Sequence, residues 1–224
     1  MEADWEVEIG AEAPVIEPDW SGFVDLRLTP DSAYQLPELA GLPGLARGLI
    51  QLNHANSPVW TAKSDVWPVA EFDPVELDAE DSDADDSINS GGPPAYFLAC
   101  YVDLIARDLI AADLIATKSL GDPISAPAPT QTQTQDEDEH SRRDRTIQWC
   151  KTLCQRLHGV PLRSCRVDLI VRRALLRAEV VDFAVTAYIT ACGPSESDAK
   201  RMLESAFLAF AETLFPQQPD STLE

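Results

Sequence analysis

The chain carries little positive charge and contains no long apolar run. Seventeen Lys and Arg stand against 38 Asp and Glu, so the formal net charge is −21 over 224 residues. A molecule with that charge repels nucleic acid and anionic membrane surfaces as a whole. No stretch approaches the roughly 18 apolar residues of a membrane span, and residues 1–14 lack the basic and apolar regions of a secretory signal. These absences argue against nucleic-acid and membrane partners.

Histidine and cysteine are also scarce, with three of the first and five of the second. An odd number of cysteines at scattered spacing favours free thiols in a reducing compartment over a disulfide framework, so we expect a cytoplasmic protein. The sequence has no phosphate-cradling glycine loop, no nucleophile elbow and no HExxH pattern. These patterns favour a non-catalytic protein over an enzyme, and none of them requires a cofactor.

Residues 165–192 predict two β-strands that fold back on each other. Apolar and polar residues alternate from Cys165 to Arg172 and again from Val181 to Thr190, which is typical of strands that bury one face. The turn near residues 176–180 lacks Asn-Gly or Asp-Gly, so we expect a looser loop or a bulge there. Further strands are predicted at 5–9, 22–28, 58–68 and 95–106, and helices at 43–53, 143–158 and from Ser195 to Pro216.

This element order predicts an α+β domain, with a mainly antiparallel sheet and helices on one of its faces. The domain covers residues 1–192 together with a C-terminal helix at 195–215, and residues 216–224 form a tail. Composition predicts two disordered insertions: an acidic loop at 71–94, and a Pro-, Thr- and Gln-rich linker at 117–141. Residues 43–106 and 143–192 share the order helix–strand–strand, and each contains the tetrad VDLI. That match favours two pseudo-repeated units.

Two sets of residues have the chemistry of metal ligands. Cys150, Cys154 and His158 recur every four residues, but eight residues of helix span about 12 Å, too far for one zinc ion. Core packing is therefore the favoured interpretation, and we predict no metal. Residues 81–92 resemble part of an EF-hand loop, but Asp86 replaces the required glycine and Gly92 replaces the bidentate glutamate. A solvated acidic loop is favoured there.

Positive charge is concentrated at residues 142–177, which hold ten basic residues and two acidic ones. This helix–hairpin region is either a surface for an acidic partner or the counter-charge for the chain's own acidic segments, at 71–86 and 136–139. As a partner-binding surface it predicts the following contact residues: Arg142, Arg143, Arg145, Lys151, Arg156, Arg172 and Arg173.

Three functions fit these patterns. The first is a cytoplasmic accessory or interaction protein that binds a protein partner through the basic region. The second is an enzyme with a carboxylate-lined groove between the two units, built from strand residues such as Asp103 and Asp168. The third is a structural subunit that self-associates through free sheet edges. Aromatic residues on the strands, among them Trp67 and Tyr101, could line a partner groove or simply pack.

Overall fold

A computed structural model describes residues 1–10, 15–16, 22–69, 96–107, 132–176 and 179–215. These residues form the predicted α+β fold. The strands are β1 (Glu2–Val7), β2 (Val15–Ile16), β3 (Val59–Val69), β4 (Tyr96–Ala106), β5 (Cys165–Leu176) and β6 (Glu179–Gly193). The α-helices are α1 (Pro43–Asn53), α2 (Thr132–His158) and α3 (Glu196–Thr213), with short 3-10 helices at Pro30–Gln35 and Pro37–Leu39.

The strands form one sheet in the order β1-β5-β6-β4-β3, and the short β2 also pairs with β5. The β3–β4, β4–β6 and β5–β6 pairs are antiparallel, whereas β1 and β2 run parallel to β5. The sheet is therefore mainly antiparallel, as predicted. The long connection between β1 and β5 is what allows that pair to be parallel.

The three helices pack on one face of the sheet and enclose the main core. Alternate residues of β5 and β6 turn toward the helices, including Val167, Leu169 and Ile189, and each of these side chains is fully buried. The helices contribute Leu49, Leu153, Leu203, Phe207 and others of the same apolar type to the same cluster. Burial of these side chains supplies the main driving force for folding.

Helix α1 approaches α3 closely because it carries glycine at the contact. A Cβ atom built on Gly48 would lie 2.4 Å from the Phe207 ring, and one on Gly44 would lie 2.7 Å from Glu204 Cβ. The Gly44 N–H also donates a hydrogen bond to the Glu204 carboxylate. Small residues at these two positions therefore set the distance between the two helices.

The two pseudo-repeated units are visible as two helix–hairpin arrangements that meet where β4 pairs with β6. Helix α1 precedes the β3–β4 hairpin and α2 precedes the β5–β6 hairpin. The shared tetrad does not mark equivalent positions, because residues 102–105 lie in the second strand of one hairpin and residues 167–170 in the first strand of the other. The correspondence lies in element order and not in that short sequence match.

Two sequence-based predictions of local structure are wrong. Residues 22–28 form turns instead of a strand, because the Asp25 carboxylate accepts hydrogen bonds from the backbone N–H and the guanidinium of Arg27. Residues 132–141, predicted to belong to the disordered linker, lie in α2. Ion pairing that composition cannot reveal contributes there, since Glu139 pairs with Arg173 of β5 at 2.8 Å.

Of the remaining predictions of local structure, one is confirmed and three fall on residues that the structure does not describe. The predicted irregularity of the β5–β6 turn is confirmed by a register shift between Ala174 and Leu175. The acidic loop at 71–94, residues 117–131 of the linker and the tail at 216–224 lie outside the described residues.

Candidate functional site

The structure does not gather the predicted basic contact residues on one surface. Arg172 and Arg173 are neighbours on β5, so their side chains lie on opposite faces of the sheet. Arg172 pairs with Glu8 at 2.7 Å on the face away from the helices, whereas Arg173 pairs with Glu139 of α2. Glu139 belongs to the acidic run 136–139, so at this position the basic region neutralises the chain's own acid.

The remaining five residues lie on different sides of α2. Lys151 stands over the Trp5 ring of β1, 5.1 Å from its centroid. Arg156 lies near the far end of the helix, where its guanidinium donates to the Thr213 carbonyl of α3. Nearer the start of the helix, Arg143 contacts His140 and Asp144 and Arg145 contacts Ser141, while Arg142 lies on the same turn. The arrangement therefore does not form one continuous patch.

The cysteines belong to the core. All five are buried and none forms a disulfide, and in the described part of the chain no three His, Cys, Asp or Glu side chains are placed to hold a metal ion. Burial raises the pKa of Cys150 and of Cys165 to about 12, and that of Cys154 to about 11. Thiols in this state do not form thiolates readily at neutral pH, so they behave as small apolar side chains.

The burial of these thiols predicts slow chemical modification. At pH 8 we expect an aromatic disulfide reagent to react with the folded protein at least about a hundredfold more slowly than with the chain in denaturant, where an ordinary thiol pKa near 8.5 returns. Stopped-flow absorbance measures both rates. Rapid reaction of even one thiol per chain in the folded protein would contradict this burial.

The face of the sheet opposite the helices, termed the open face, carries the chain's excess of acid. Among the described residues no helix packs on it. Among the described side chains, alternation along the strands places seven carboxylates and three cationic groups there: Glu2, Asp4, Glu6, Glu8, Asp65, Asp103 and Asp168, against Lys63, Arg166 and Arg172. The open face is therefore acidic, in keeping with the charge of the whole chain.

Three aromatic side chains lie together at the centre of this face. Trp67 of β3, Tyr101 of β4 and Tyr188 of β6 have ring centroids between 5.9 and 6.3 Å apart, and all three are partly exposed. The Arg172 guanidinium stands 5.8 Å from the Tyr188 centroid. Burial, with Asp103 and Asp65 nearby, raises the pKa of Tyr101. We call Trp67, Tyr101 and Tyr188 the aromatic cluster.

Asp103 lies beside the aromatic cluster, at the seam between the two units. Its side chain is buried and accepts a hydrogen bond of 2.6 Å from the Thr186 hydroxyl. No Lys or Arg nitrogen of the described residues lies within 4 Å of its carboxylate. Burial raises the pKa of Asp103, although the Thr186 hydrogen bond and the charges of Lys63 and Arg172 oppose that change.

This geometry does not favour the predicted carboxylate-lined catalytic groove. Asp103 is 4% exposed, so it does not meet a substrate on the surface. Asp168 forms an ion pair with Arg166 at 2.8 Å, and Asp25 pairs with Arg27. These three carboxylates, all predicted to lie on strands, are thus buried or paired with arginine.

Sequence reasoning identified part of the open-face site and missed the rest. Trp67 and Tyr101 stood out as aromatic residues on strands, but Tyr188 did not, because it lies on a different hairpin from the other two. The pairing of Tyr101 with Tyr188 follows from the register between β4 and β6. Sequence alternation alone places Tyr188 on the polar face of its strand and says nothing about its neighbours.

Comparisons with known proteins found no matching family model, no matching curated protein and no matching solved structure. Among the described helices, none combines the length and the apolar character needed to cross a membrane.

Proposed function

We propose that the chain is a non-catalytic interaction protein whose protein partner binds the open face of the sheet. The observation that carries this proposal is the aromatic cluster, which presents three partly exposed rings on an acidic surface. Tyrosine and tryptophan are enriched at binding hot spots because they offer a large apolar area with little conformational entropy to lose. The partner replaces the water on these rings.

Charge complementarity defines the chemistry of the partner. Apart from the buried Asp103, the described open face carries six carboxylates against three cations, so a contacting segment rich in Lys and Arg is favoured over an acidic one. Cationic side chains also bind favourably over Trp and Tyr rings. The aromatic cluster and the surrounding carboxylates therefore select the same class of partner, a protein segment that combines basic and apolar residues.

A random peptide display library screened against the full chain tests this proposal. We expect the selected peptides to hold an excess of Lys and Arg and to bind more weakly as salt concentration rises. Trp67→Ala should weaken binding of a selected peptide at least tenfold, which corresponds to about 1.4 kcal/mol. Calorimetric titration of the purified variant measures this change.

Tyr96→Ala is the matched control, because Tyr96 is 46% exposed and alternation along β4 places it on the face opposite to that of Tyr101. It should change the affinity by less than about twofold. Equal losses in the two variants would reject the open face as the site. Selection of acidic peptides would instead favour the basic helix–hairpin region at residues 142–177 as the contact surface.

A further inference from the structure

A second candidate site lies on the opposite side of the sheet, beside α2. A cavity of about 270 Å³ opens between the middle of α2 and the end of the sheet where β3 begins and β4 ends. Its floor is apolar and includes Leu104 of β4 with Phe183 and Val185 of β6. Thr146 and Trp149 of α2 form its wall. Thr146 is buried, and its hydroxyl donates to the Arg142 carbonyl.

Arg145 is the single charged side chain that lines the cavity, within the residues that the structure describes. It is exposed, and its guanidinium contacts the Ser141 hydroxyl at 3.3 Å. No described carboxylate lies within 4 Å of that guanidinium, whereas Arg143, two positions earlier on the same helix, contacts Asp144. The cavity thus combines an apolar interior with one positive charge at its rim.

We propose that this cavity binds a small apolar monocarboxylate, with the hydrocarbon part against Leu104, Phe183 and Val185 and the carboxylate on Arg145. Arginine is suited to this role, because its planar guanidinium can hold a carboxylate through two parallel hydrogen bonds. Small-molecule sites are typically apolar clefts with a few polar groups that fix orientation. A neutral ligand would leave Arg145 unused, and a cationic ligand would be repelled by it.

The size of the cavity limits the ligand. A volume of about 270 Å³ lies at the lower end of the range for small-molecule sites, which is about 300–1,000 Å³, so a short hydrocarbon chain suits this cavity better than a long one. The proposed ligand class is therefore a medium-chain carboxylate, and octanoate is the probe that matches it.

Calorimetric titration of the full chain with octanoate tests the proposal. We expect saturable binding near one equivalent per chain, and at least tenfold weaker binding of octylamine, which has the same hydrocarbon chain and the opposite charge. Arg145→Gln should weaken octanoate binding at least tenfold without lowering the melting temperature, because Arg145 is exposed. Arg156→Gln, an exposed arginine on the same helix, should leave the affinity unchanged.

A filling substitution separates this cavity from other surfaces. Val185→Phe should abolish octanoate binding while Arg145 is still present, and the comparison with octylamine on the unaltered chain needs no variant at all. Trp149 reports on occupancy, so the fluorescence change on titration should disappear in Trp149→Phe. Equal binding of octanoate and octylamine, or no octanoate binding at millimolar concentration, would overturn the proposal. The binding of peptides to the open face is independent of either result.

Discussion

Replacing Phe207 by alanine is expected to lower the free energy of unfolding by about 3–5 kcal/mol, because the ring is almost fully buried and its loss leaves a cavity. The ring packs against Phe210 at a centroid distance of 6.4 Å and lies against the backbone of α1 at Gly48. Denaturant unfolding followed by circular dichroism measures the change. A loss of less than about 1 kcal/mol would show that α3 does not pack on α1 through this ring.

The contact between Gly48 and Phe207 also predicts that the effect of Gly48→Ala on stability changes sign when the Phe207 ring is removed. Alone, Gly48→Ala should destabilise the fold by about 1–3 kcal/mol, since its methyl group would lie 2.4 Å from the ring. In the Phe207→Ala background the space is open, and the same change should stabilise the protein by up to about 1 kcal/mol through helix propensity. Arg47→Ala, at the exposed position before it, should have an effect below about 0.5 kcal/mol in both backgrounds.

Thr186→Val is expected to destabilise the protein by about 1.5–3 kcal/mol at pH 7, because the hydroxyl of Thr186 donates to the buried carboxylate of Asp103. Valine keeps the shape of the side chain and removes the donor. Thr190→Val on the same strand is the matched control and should cost less than about 1 kcal/mol. Equal costs in the two variants would show that the hydrogen bond to Asp103 does not contribute.

The pH dependence of stability gives a second readout at the same position. The pKa of Asp103 is raised in the folded state, so the folded chain binds a proton more tightly than the unfolded chain. This carboxyl group therefore destabilises the fold progressively as pH rises above about 4, and has no such effect at lower pH. Asp103→Asn should gain stability relative to the parent chain between pH 4 and pH 7. A constant difference across that range would contradict the raised pKa.

The fold could be predicted from the sequence wherever the pattern is local and periodic. Alternation predicted β3 to β6, and the last helix was predicted to begin at Ser195. In the structure the Ser195 side chain caps this helix, α3, by accepting a hydrogen bond from the Asp198 N–H. The prediction of a strand at residues 22–28 was wrong. Their alternation is that of a strand, but hydrogen bonds from Arg27 to the Asp25 carboxylate stabilise turns there. The prediction of a disordered linker at residues 132–141 was wrong because Glu139 forms an ion pair with Arg173, a residue 34 positions away in the sequence.

The candidate sites could be predicted less well, because both depend on contacts between distant parts of the chain. The aromatic cluster combines β3, β4 and β6, and the cavity combines α2 with the ends of β3, β4 and β6. Charge counting pointed to residues 142–177, but a strand sends Arg172 and Arg173 to opposite faces. A linear count of charge cannot show this separation, whereas the pairing of the strands does.

The parallel pairing of β1 with β5 has a consequence for synthesis on the ribosome. Glu2 lies opposite Arg166 in the sheet, so β1 leaves the ribosome long before its pairing strand has been made. At about 5–20 residues per second, roughly 160 further residues take on the order of 8–30 seconds. Throughout that interval the backbone N–H and C=O groups of the nascent strand lack their partner strand. The closely spaced negative charges at Glu2, Asp4 and Glu6 disfavour its pairing with other nascent chains.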